Sequence, residues 1–382
     1  MRRRVLMVKL TLQPPGGGQG VAAWMLEALK GQCTLGVLTE EPVDLAAINR
    51  FYGTSLSLAD LSFVGIASRW HHLLRRLPYR ADLLRYALLM QAGRRLASEW
   101  DVLLSVDYEV DFGRPAIQYI NVPIFQRPLQ YRDVSWQHGP RVVVDTYRKF
   151  CDAISRMTAE GIRANRTLSV SDYIGAQLRT RHGIEARTLY PPVIGPFAPV
   201  PWEQRRNAFL CLGRVSPEKR LERVIAILAA VRQAHPGVSL CLAGTFGRDA
   251  YGRRIRQLVA QHQDWISVAE SLTREQVVEL IPQFRYGIHG MLDEHFGMAP
   301  AEMVSAGCIV FVPDDGGQVE IVGPDTGLTY SSVDTAVARI TEVLASPAEQ
   351  ERLRAVLASR AGLFTPERFA DDVREVVNSF PG

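Results

Sequence analysis

Short apolar runs alternate with amphipathic stretches along most of the chain, and this alternation predicts its secondary structure. Apolar runs of about four to eight residues are typical of buried strands, and apolar positions every three or four residues are typical of helices. The predicted strands are residues 5–10, 34–39, 102–105, 116–120, 166–170, 208–212, 238–243, 266–269, 284–289 and 308–312. The predicted helices are residues 20–30, 45–51, 145–164, 218–233, 251–261, 274–281, 333–359 and 366–379, one opening at residue 172 and one ending at residue 305.

This order of elements predicts an α/β fold of two doubly wound, Rossmann-like domains, each with a parallel sheet covered by helices. Residues 189–203 hold five prolines and no hydrophobic period, which is typical of an interdomain linker. We therefore expect one domain at residues 1–190, a second at 191–364, and a final helix at 365–382 that packs back towards the first. Ligands of such folds bind at the carboxyl ends of the strands, here in a cleft between the domains.

Residues 286–322 hold the densest set of candidate binding groups. Two carboxylates, Glu294 and Glu302, are separated by seven residues and bracket a loop that leads into a predicted helix. The backbone amides of residues 297–299 would lie at the N-terminus of that helix, where an anion is stabilised. Carboxylates that accept hydrogen bonds from hydroxyl groups, next to amides that bind an anion, are suited to a sugar phosphate.

A second candidate site follows the predicted strand at 208–212. Ser216 is a favourable N-cap and Pro217 a favourable first helical residue, which would put Lys219 at the third position of the helix. A cation there is unfavourable with respect to the helix dipole, and this favours an anion site over a solvated surface charge. Arg214 and Lys219 together could neutralise a diphosphate.

These motifs resemble those of the retaining glycosyltransferases of family 4, which have the GT-B fold. The resemblance rests on Arg214-x4-Lys219, on Glu294-x7-Glu302 and on the Gly-Gly-x-x-Glu motif that begins at Gly316, and it is strong over about residues 190–325. The segment around Glu294 is most similar to that of the mannosyltransferases that add α-1,2-mannose to the dolichol-linked oligosaccharide. The resemblance implies transfer of a sugar from a nucleoside diphosphate sugar to a glycan or lipid-linked acceptor.

The resemblance also implies roles for individual residues in a metal-independent reaction that needs no cofactor. Arg214 and Lys219 would bind the donor diphosphate, Glu302 the ribose diol, and Glu294 the hydroxyl groups of the donor sugar. Arg214, Lys219 and Glu294 are the implied catalytic residues, and GDP-mannose is the favoured donor. The implied donor-binding residues are Arg214, Lys219, His289, Glu294, Phe296, Gly297, Met298, Ala299 and Glu302.

The glycine-rich segment after the first strand has two interpretations. In the glycosyltransferase interpretation, Gly16, Gly17 and Gly18 form a loop that contacts donor phosphate and acceptor. Gly18-x-Gly20-x-x-Ala23, with Glu40 and Glu41 about twenty residues later, is also a passable dinucleotide fingerprint and supports an NAD(P)-dependent oxidoreductase. We favour the first interpretation, because the second leaves residues 191–364 unexplained.

The first domain also departs from the family pattern. Asn121 stands where family members often carry a histidine, with His138 as an alternative, and an amide cannot act as a base. This departure supports a third possibility, a degenerate protein that binds nucleotide sugars without transferring them. The acidic segment 107–111 resembles a metal motif of other glycosyltransferases, but its place in the first domain favours a solvated or acceptor-facing loop.

The first 195 residues hold 25 basic and 17 acidic side chains, a net charge of +8, whereas the rest holds 19 and 23, a net charge of −4. Residues 69–95 contain seven arginines and one acid among apolar residues. This segment is suited either to an anionic membrane surface or to ordinary helices packed on the sheet. No nucleic-acid-binding motif accompanies the charge. The scattered cysteines favour buried free thiols and a cytoplasmic protein, peripheral at the membrane if residues 69–95 bind it.

Overall fold

The computed structural model describes residues 2–14, 16–65, 81–124 and 141–381. The chain divides into two compact units. Unit 1 comprises Met1–Leu189 and Glu367–Gly382, and unit 2 comprises Tyr190–Pro366. The predicted α/β fold class is confirmed, because each unit is built on a parallel sheet whose strands are connected by helices.

Unit 1 contains a seven-stranded parallel sheet in the order β3-β2-β1-β4-β5-β6-β7. Its strands are β1 (Arg4–Val8), β2 (Thr34–Thr39), β3 (Leu61–Gly65), β4 (Val102–Asp107), β5 (Ile117–Ile120), β6 (Arg166–Ser169) and β7 (Ala186–Thr188). The helices between them are α1 (Gly17–Leu29), α2 (Leu45–Tyr52), α3 (Asp82–Leu96), α4 (Arg141–Ser155), α5 (Ala159–Arg163) and α6 (Asp172–His182). The central strands are almost wholly apolar because helices cover both faces of the sheet.

Unit 2 contains a six-stranded parallel sheet in the order β10-β9-β8-β11-β12-β13. Its strands are β8 (Arg206–Leu212), β9 (Ser239–Gly244), β10 (Ile266–Glu270), β11 (Phe284–Ile288), β12 (Ile309–Pro313) and β13 (Thr329–Tyr330). Its helices are α7 (Leu221–Ala234), α8 (Ala250–Gln261), α9 (Arg274–Leu280), α10 (Met298–Ser305), α11 (Gln318–Val322), α12 (Val333–Ala345) and α13 (Pro347–Ala361).

The last helix, α14 (Pro366–Asn378), packs on unit 1. Arg166 of β6 donates to the carbonyl oxygen of Val376 at 2.9 Å, and Arg187 of β7 pairs with Asp372 at 2.7 Å. The chain therefore returns to the first sheet after completing the second. None of the helices within the described residues is long and apolar enough to cross a membrane.

Two predicted helices are each divided in two in the structure. The predicted helix at 145–164 is α4 and α5, because Arg156 adopts a left-handed conformation (φ 54°) and Thr158 caps a new helix by accepting from the amide of Gly161. The predicted helix at 333–359 is α12 and α13, because Ser346 caps a second helix that Pro347 begins. The short edge strands β3, β7 and β13 were not predicted from the sequence.

Both sheets reverse their strand order at one point, and this determines where binding sites form. In unit 1 the reversal lies between β1 and β4, and in unit 2 it lies between β8 and β11. The loops after such neighbouring strands leave in opposite directions and open a crevice at the carboxyl ends of the strands.

Candidate functional site

The loop after β8 places Arg214 at the crevice of unit 2. Gly213 (φ 142°) and Gly244 (φ 150°) let the ends of β8 and β9 approach closely, and a Cβ atom on Gly244 would lie only 1.9 Å from the carbonyl oxygen of Gly213. Arg214 is exposed, and it makes no hydrogen bond or ion pair with any residue that the structure describes. Its guanidinium is therefore available to an anion.

The local structure around Lys219 differs from the prediction. Residues Pro217–Lys219 form a single 3₁₀ turn, Arg220 adopts a left-handed conformation (φ 49°), and α7 begins only at Leu221. The prediction that Ser216 caps a helix with Lys219 at its third position is therefore wrong. Ser216 makes no capping hydrogen bond, and Lys219 lies in the turn that precedes α7 and not at the third position of the helix.

Lys219 instead forms an ion pair with Glu294. Nζ of Lys219 lies 2.8 Å from Oε2 of Glu294 and 3.4 Å from Nε2 of His289, and the two charged side chains are 20% and 17% exposed. Burial raises the pKa of Glu294, but the ammonium of Lys219 outweighs this effect and holds the pKa below its usual value. Glu294 is therefore an ionised carboxylate at neutral pH.

His289, the residue after β11, is buried below this pair. Its Nδ1 lies 2.6 Å from Oε1 of Gln318, whose Nε2 donates to the carbonyl oxygens of Met291 and Asp315. These bonds fix the amide orientation, so Nδ1 carries the proton and Nε2 accepts from Lys219. Burial and the ammonium lower the pKa of His289 to about 4, so the ring is neutral at physiological pH. Gln318 has no role in the motifs recognised from the sequence.

The two-glycine turn before α11 positions the Glu294 loop. Gly316 has a left-handed conformation (φ 86°), and a Cβ atom there would lie 2.5 Å from the carbonyl oxygen of Glu294. The amide of Gly317 donates to the same carbonyl at 2.8 Å, and the amide of Asp293 donates to Asp315 at 2.7 Å. The two glycines of the Gly-Gly-x-x-Glu motif thus contact the backbone of Glu294 and hold it in position.

The residues after Glu294 enter α10 as the sequence indicates. Gly297, in a left-handed conformation (φ 109°), precedes the helix, and Met298 and Ala299 are its first two residues. No side chain within the described residues caps this helix, and its first turn has no acidic residue. Phe296 is buried against the rings of Tyr190 and Phe364, so its side chain supports the loop from below.

Glu302 lies in the second turn of α10 and is paired with an arginine that the sequence motifs did not indicate. Nη1 of Arg274 lies 2.6 Å from Oε1 of Glu302. Burial raises the pKa of Glu302, and the guanidinium opposes that rise. Arg274 is the first residue of α9, where a cation is unfavourable with respect to the helix dipole, and this was the signal available for it in the sequence.

The crevice of unit 1 holds a second charged cluster. Lys9, directly after β1, forms an ion pair with Asp107 at the end of β4, and Nδ2 of Asn121 donates to Oδ1 of Asp107 at 2.8 Å. The side chain of Lys9 is 1% exposed and that of Asp107 is 26% exposed. Asp107 has a positive φ of 112°, which is strained for a residue with a Cβ atom.

The glycine-rich loop packs directly on this cluster. Gly16 precedes α1, and its carbonyl oxygen accepts from the hydroxyl of Tyr52 at 2.9 Å, whereas Gly17 begins the helix. A Cβ atom on Gly18 would lie 2.0 Å from Oδ1 of Asp107. The structure therefore brings Gly18 and Asn121 together and adds Lys9 and Asp107 to them. The sequence did offer a signal for Lys9, because it is a charged residue inside the apolar pattern of a predicted strand.

The residues that supported a dinucleotide site are engaged in other contacts. The side chain of Glu40 is completely buried and accepts two hydrogen bonds from Nε of Arg85, at 2.7 and 2.9 Å. Glu41 lies 3.5 Å from the same guanidinium. A ribose of NAD(P) would need the carboxylate that Arg85 already occupies.

The acidic segment 107–111 contributes to structure as well as to the cluster. Glu109 is buried and accepts from the amide of Ile124 at 2.9 Å, and Asp111 pairs with Arg94 and accepts from Thr158. Among the residues that the structure describes, no group of three potential ligands could hold a metal ion.

The arginine-rich segment 69–95 is only partly described. Residues 69–80, like His138, lie outside the described residues. The remainder falls in α3, whose Tyr86, Leu89 and Met90 are buried in the core of unit 1 against β1. This half of the segment therefore has the packed arrangement that the sequence left as one of two possibilities. The five cysteines are buried free thiols, as predicted.

Comparison with known families identifies the second unit. Residues 197–358 match the family model described as "Glycosyl transferases group 1". This match covers less than half of the chain and lies within unit 2. This match confirms the resemblance seen in the Arg214, Lys219, Glu294 and Glu302 motifs, and it favours glycosyl transfer over oxidoreduction.

The chain also resembles curated proteins over part of its length. The chain is 26% identical over 155 residues to a GDP-Man:Man(3)GlcNAc(2)-PP-Dol alpha-1,2-mannosyltransferase of Dictyostelium discoideum, over 37% of this chain and 31% of the relative. The chain thus matches less than half the length of the curated relatives that resemble it.

Two solved structures resemble the fold over nearly the whole chain. Sucrose-phosphate synthase of Thermosynechococcus elongatus has a TM-score of 0.69 at 16% identity, covering 99% of this chain and 98% of its own. Anabaena HepE, solved in complex with UDP and glucose, has a TM-score of 0.68 at 12% identity, covering 99% of this chain and 100% of its own. At these identities the likeness shows the fold, which is GT-B.

Proposed function

We propose that this protein is a retaining glycosyltransferase that moves a sugar from a nucleoside diphosphate sugar to a hydroxyl group of a glycan or lipid-linked acceptor. The observation that carries the proposal is the Lys219–Glu294 ion pair at the crevice of unit 2, 2.8 Å long and adjoining the exposed Arg214 loop. Cations for a diphosphate and a carboxylate for hydroxyl groups lie together at the point where such folds bind ligands.

The donor-side chemistry follows from these charges. Arg214 and Lys219 neutralise the diphosphate as it departs, and Glu294 accepts hydrogen bonds from the donor sugar. The neutral ring of His289 supports Lys219 from below, and the amides of Gly297, Met298 and Ala299 take phosphate or sugar oxygens. Lys219 and Glu294 neutralise each other in the free protein. When the donor binds, its phosphate replaces Glu294 as a contact of Lys219, and its sugar replaces Lys219 as a contact of Glu294.

We assign the acceptor to the Lys9–Asp107–Asn121 cluster and to the adjoining Gly16, Gly17 and Gly18 at the start of α1, which the sequence analysis had predicted as a loop. Asp107 retains a partly exposed carboxylate that can accept the hydrogen bond of an acceptor hydroxyl. The acceptor oxygen forms a bond to the anomeric carbon while the bond from that carbon to phosphate breaks, on the same face. The hydroxyl proton passes to the departing phosphate oxygen, so the reaction does not need Asn121 to act as a base.

We favour GDP-mannose as the donor, supported by the GDP-mannose named in the curated relatives. A thermal-shift screen of GDP-, UDP-, ADP- and dTDP-sugars tests this directly, because a ligand that binds the folded state raises its melting temperature. GDP-mannose should give the largest shift, followed by transfer or slow hydrolysis with retention of configuration. A protein that binds a nucleotide sugar and neither transfers nor hydrolyses it would instead be the degenerate binding protein.

We also propose that, if the acceptor is lipid-linked, the protein binds peripherally to the cytoplasmic face of a membrane and acts there. The support is the arginine-rich segment 69–95, of which only α3 is described. Co-sedimentation with vesicles containing phosphatidylglycerol, compared with neutral phosphatidylcholine vesicles, tests this association. Binding to the anionic vesicles alone supports it, and equal recovery in both supernatants contradicts it.

A further inference from the structure

The ribose-binding candidate of unit 2, Glu302, is held by a residue to which no motif assigns a role. Nη1 of Arg274 lies 2.6 Å from Oε1 of Glu302, and the two side chains are 17% and 11% exposed. The pair joins the first residue of α9 to the second turn of α10. A short ion pair of this kind, sheltered from water, is much less screened than an exposed one.

Arg274 is itself fixed by the backbone. Its Nη2 donates to the carbonyl oxygen of Ile194 in the proline-rich segment, and that segment is tied down by a 2.8 Å hydrogen bond from the amide of Val193 to Phe364. A planar guanidinium held at two points presents its remaining donors in one direction. Oε2 of Glu302 makes no hydrogen bond with any described residue, so this oxygen remains for a ligand.

The charge of Glu302 depends on this arginine. Burial raises the pKa of Glu302, and the guanidinium of Arg274 is the group that opposes that rise. A buried carboxylate without a partner becomes neutral rather than remain charged. A neutral carboxyl group carries a proton of its own and accepts less well, whereas the two hydroxyl groups of a ribose diol require an acceptor.

We propose that Arg274 is a positioning residue for the nucleotide ribose, which holds Glu302 as an ionised carboxylate in the orientation that accepts both ribose hydroxyl groups. This rests on the proposed function, because it requires a nucleoside diphosphate in unit 2. The competing explanation is that the pair only ties α9 to α10. The two explanations differ in how ribose recognition depends on pH.

The experiment compares a nucleoside diphosphate with its 2′,3′-dideoxy form by calorimetry at pH 6, 7, 8 and 9, using whichever of GDP, UDP and ADP the wild type binds best. The wild type should bind the ribose form at least about 10-fold more tightly at every pH, since hydrogen bonds to a charged group are strong. In Arg274→Met, the ratio of the two affinities (ribose form over dideoxy form) should fall below about 3-fold at pH 6 and 7. It should increase towards pH 9 as Glu302 ionises.

Two further variants separate charge from structure. Arg274→Lys keeps a cation and should retain a ratio that does not vary with pH, although with weaker binding. Glu302→Gln cannot ionise and should lose the preference at every pH. The matched control is Arg339→Met, which removes an equally sheltered pair with Glu349 (18% and 19% exposed) on α12 and α13 and should behave as the wild type.

The proposal is overturned if Arg274→Met keeps the wild-type ratio throughout, or loses it by the same factor at every pH, as a purely structural tie predicts. Failure of the proposed function is recognised in the wild type alone. A wild-type protein that binds none of GDP, UDP and ADP contradicts nucleotide binding and removes the inference with it.

Discussion

Nζ of Lys219 lies 2.8 Å from Oε2 of Glu294, although the two residues are separated by 75 positions in the chain. The pair connects the turn after β8 to the loop after β11, across the reversal in strand order. Each partner has a separate task in the proposed reaction, and each neutralises the other in the free protein. The Lys219–Glu294 contact therefore contributes to the stability of the folded protein, and binding of the donor changes this contact.

Removing one partner should cost more than removing both. In Lys219→Met the largely buried carboxylate of Glu294 loses its counter-ion, and we expect a loss of about 2–3 kcal/mol in the free energy of unfolding. The double variant Lys219→Met/Glu294→Gln should recover about half of this. Sugar transfer should fall by about 10²–10³-fold in Lys219→Met, in Glu294→Gln and in the double variant. Urea denaturation and initial-rate assays measure both effects.

The control for this coupling is the exposed pair Arg179–Glu185, whose side chains are 62% and 74% exposed. Its coupling energy should be below about 1 kcal/mol, because water screens it. Equal coupling energies for the two pairs, or full transfer activity in Lys219→Met, would contradict the roles given to Lys219 and Glu294.

His289 should make stability depend on pH. Its folded pKa of about 4 lies below the usual value of 6.5, so the unfolded chain binds the proton more readily between these values. The stability of the folded state is therefore complete above pH 6.5 and decreases as the pH falls towards 4, by at most about 3 kcal/mol. Denaturation at a series of pH values should show a smaller loss between pH 6.5 and 5 in His289→Asn. An unchanged loss in this variant would show that another group is responsible.

The sequence predicted the order of strands and helices well, because buried strands and amphipathic helices leave local patterns. It also predicted Arg214, Lys219, Glu294 and Glu302 as candidate site residues, since their spacing forms a motif. The helix start at Leu221 was missed because a left-handed Arg220 has no sequence signature. Partners 28 and 98 positions apart, such as Arg274–Glu302 and Lys9–Asp107, arise only when the strands assemble.

Gly316 should be necessary for the position of Glu294. A side chain at Gly316 meets both a left-handed backbone (φ 86°) and the backbone of Glu294 at 2.5 Å. We expect Gly316→Ala to lower stability by about 2–3 kcal/mol and transfer by at least about 10-fold, because the carboxylate moves. Gly183→Ala has a similar strain (φ 62°) with open space around the new methyl group, so it should lose only about 1–2 kcal/mol and retain full activity. Equal activity of the two variants would exclude the contact with Glu294 as the cause.

The Lys9–Asp107 pair should respond unequally to loss of its two partners. Asp107→Asn leaves a buried ammonium on Lys9, whereas Lys9→Met leaves a carboxylate that still reaches water. Because an unpaired buried charge is the more costly state, Asp107→Asn should be less stable than Lys9→Met by about 1–3 kcal/mol, and the double variant should recover most of the loss.

The double variant also separates the structural role of the pair from the acceptor role of Asp107. It should bind the nucleotide sugar as the wild type does, since the donor residues lie in unit 2, and yet transfer sugar at least about 10-fold more slowly. A calorimetric titration with the donor and a transfer assay on the same preparation provide the comparison. Restored transfer together with restored stability would limit the pair to a structural role. Weakened donor binding would mean instead that the glycine loop and its cluster serve the donor.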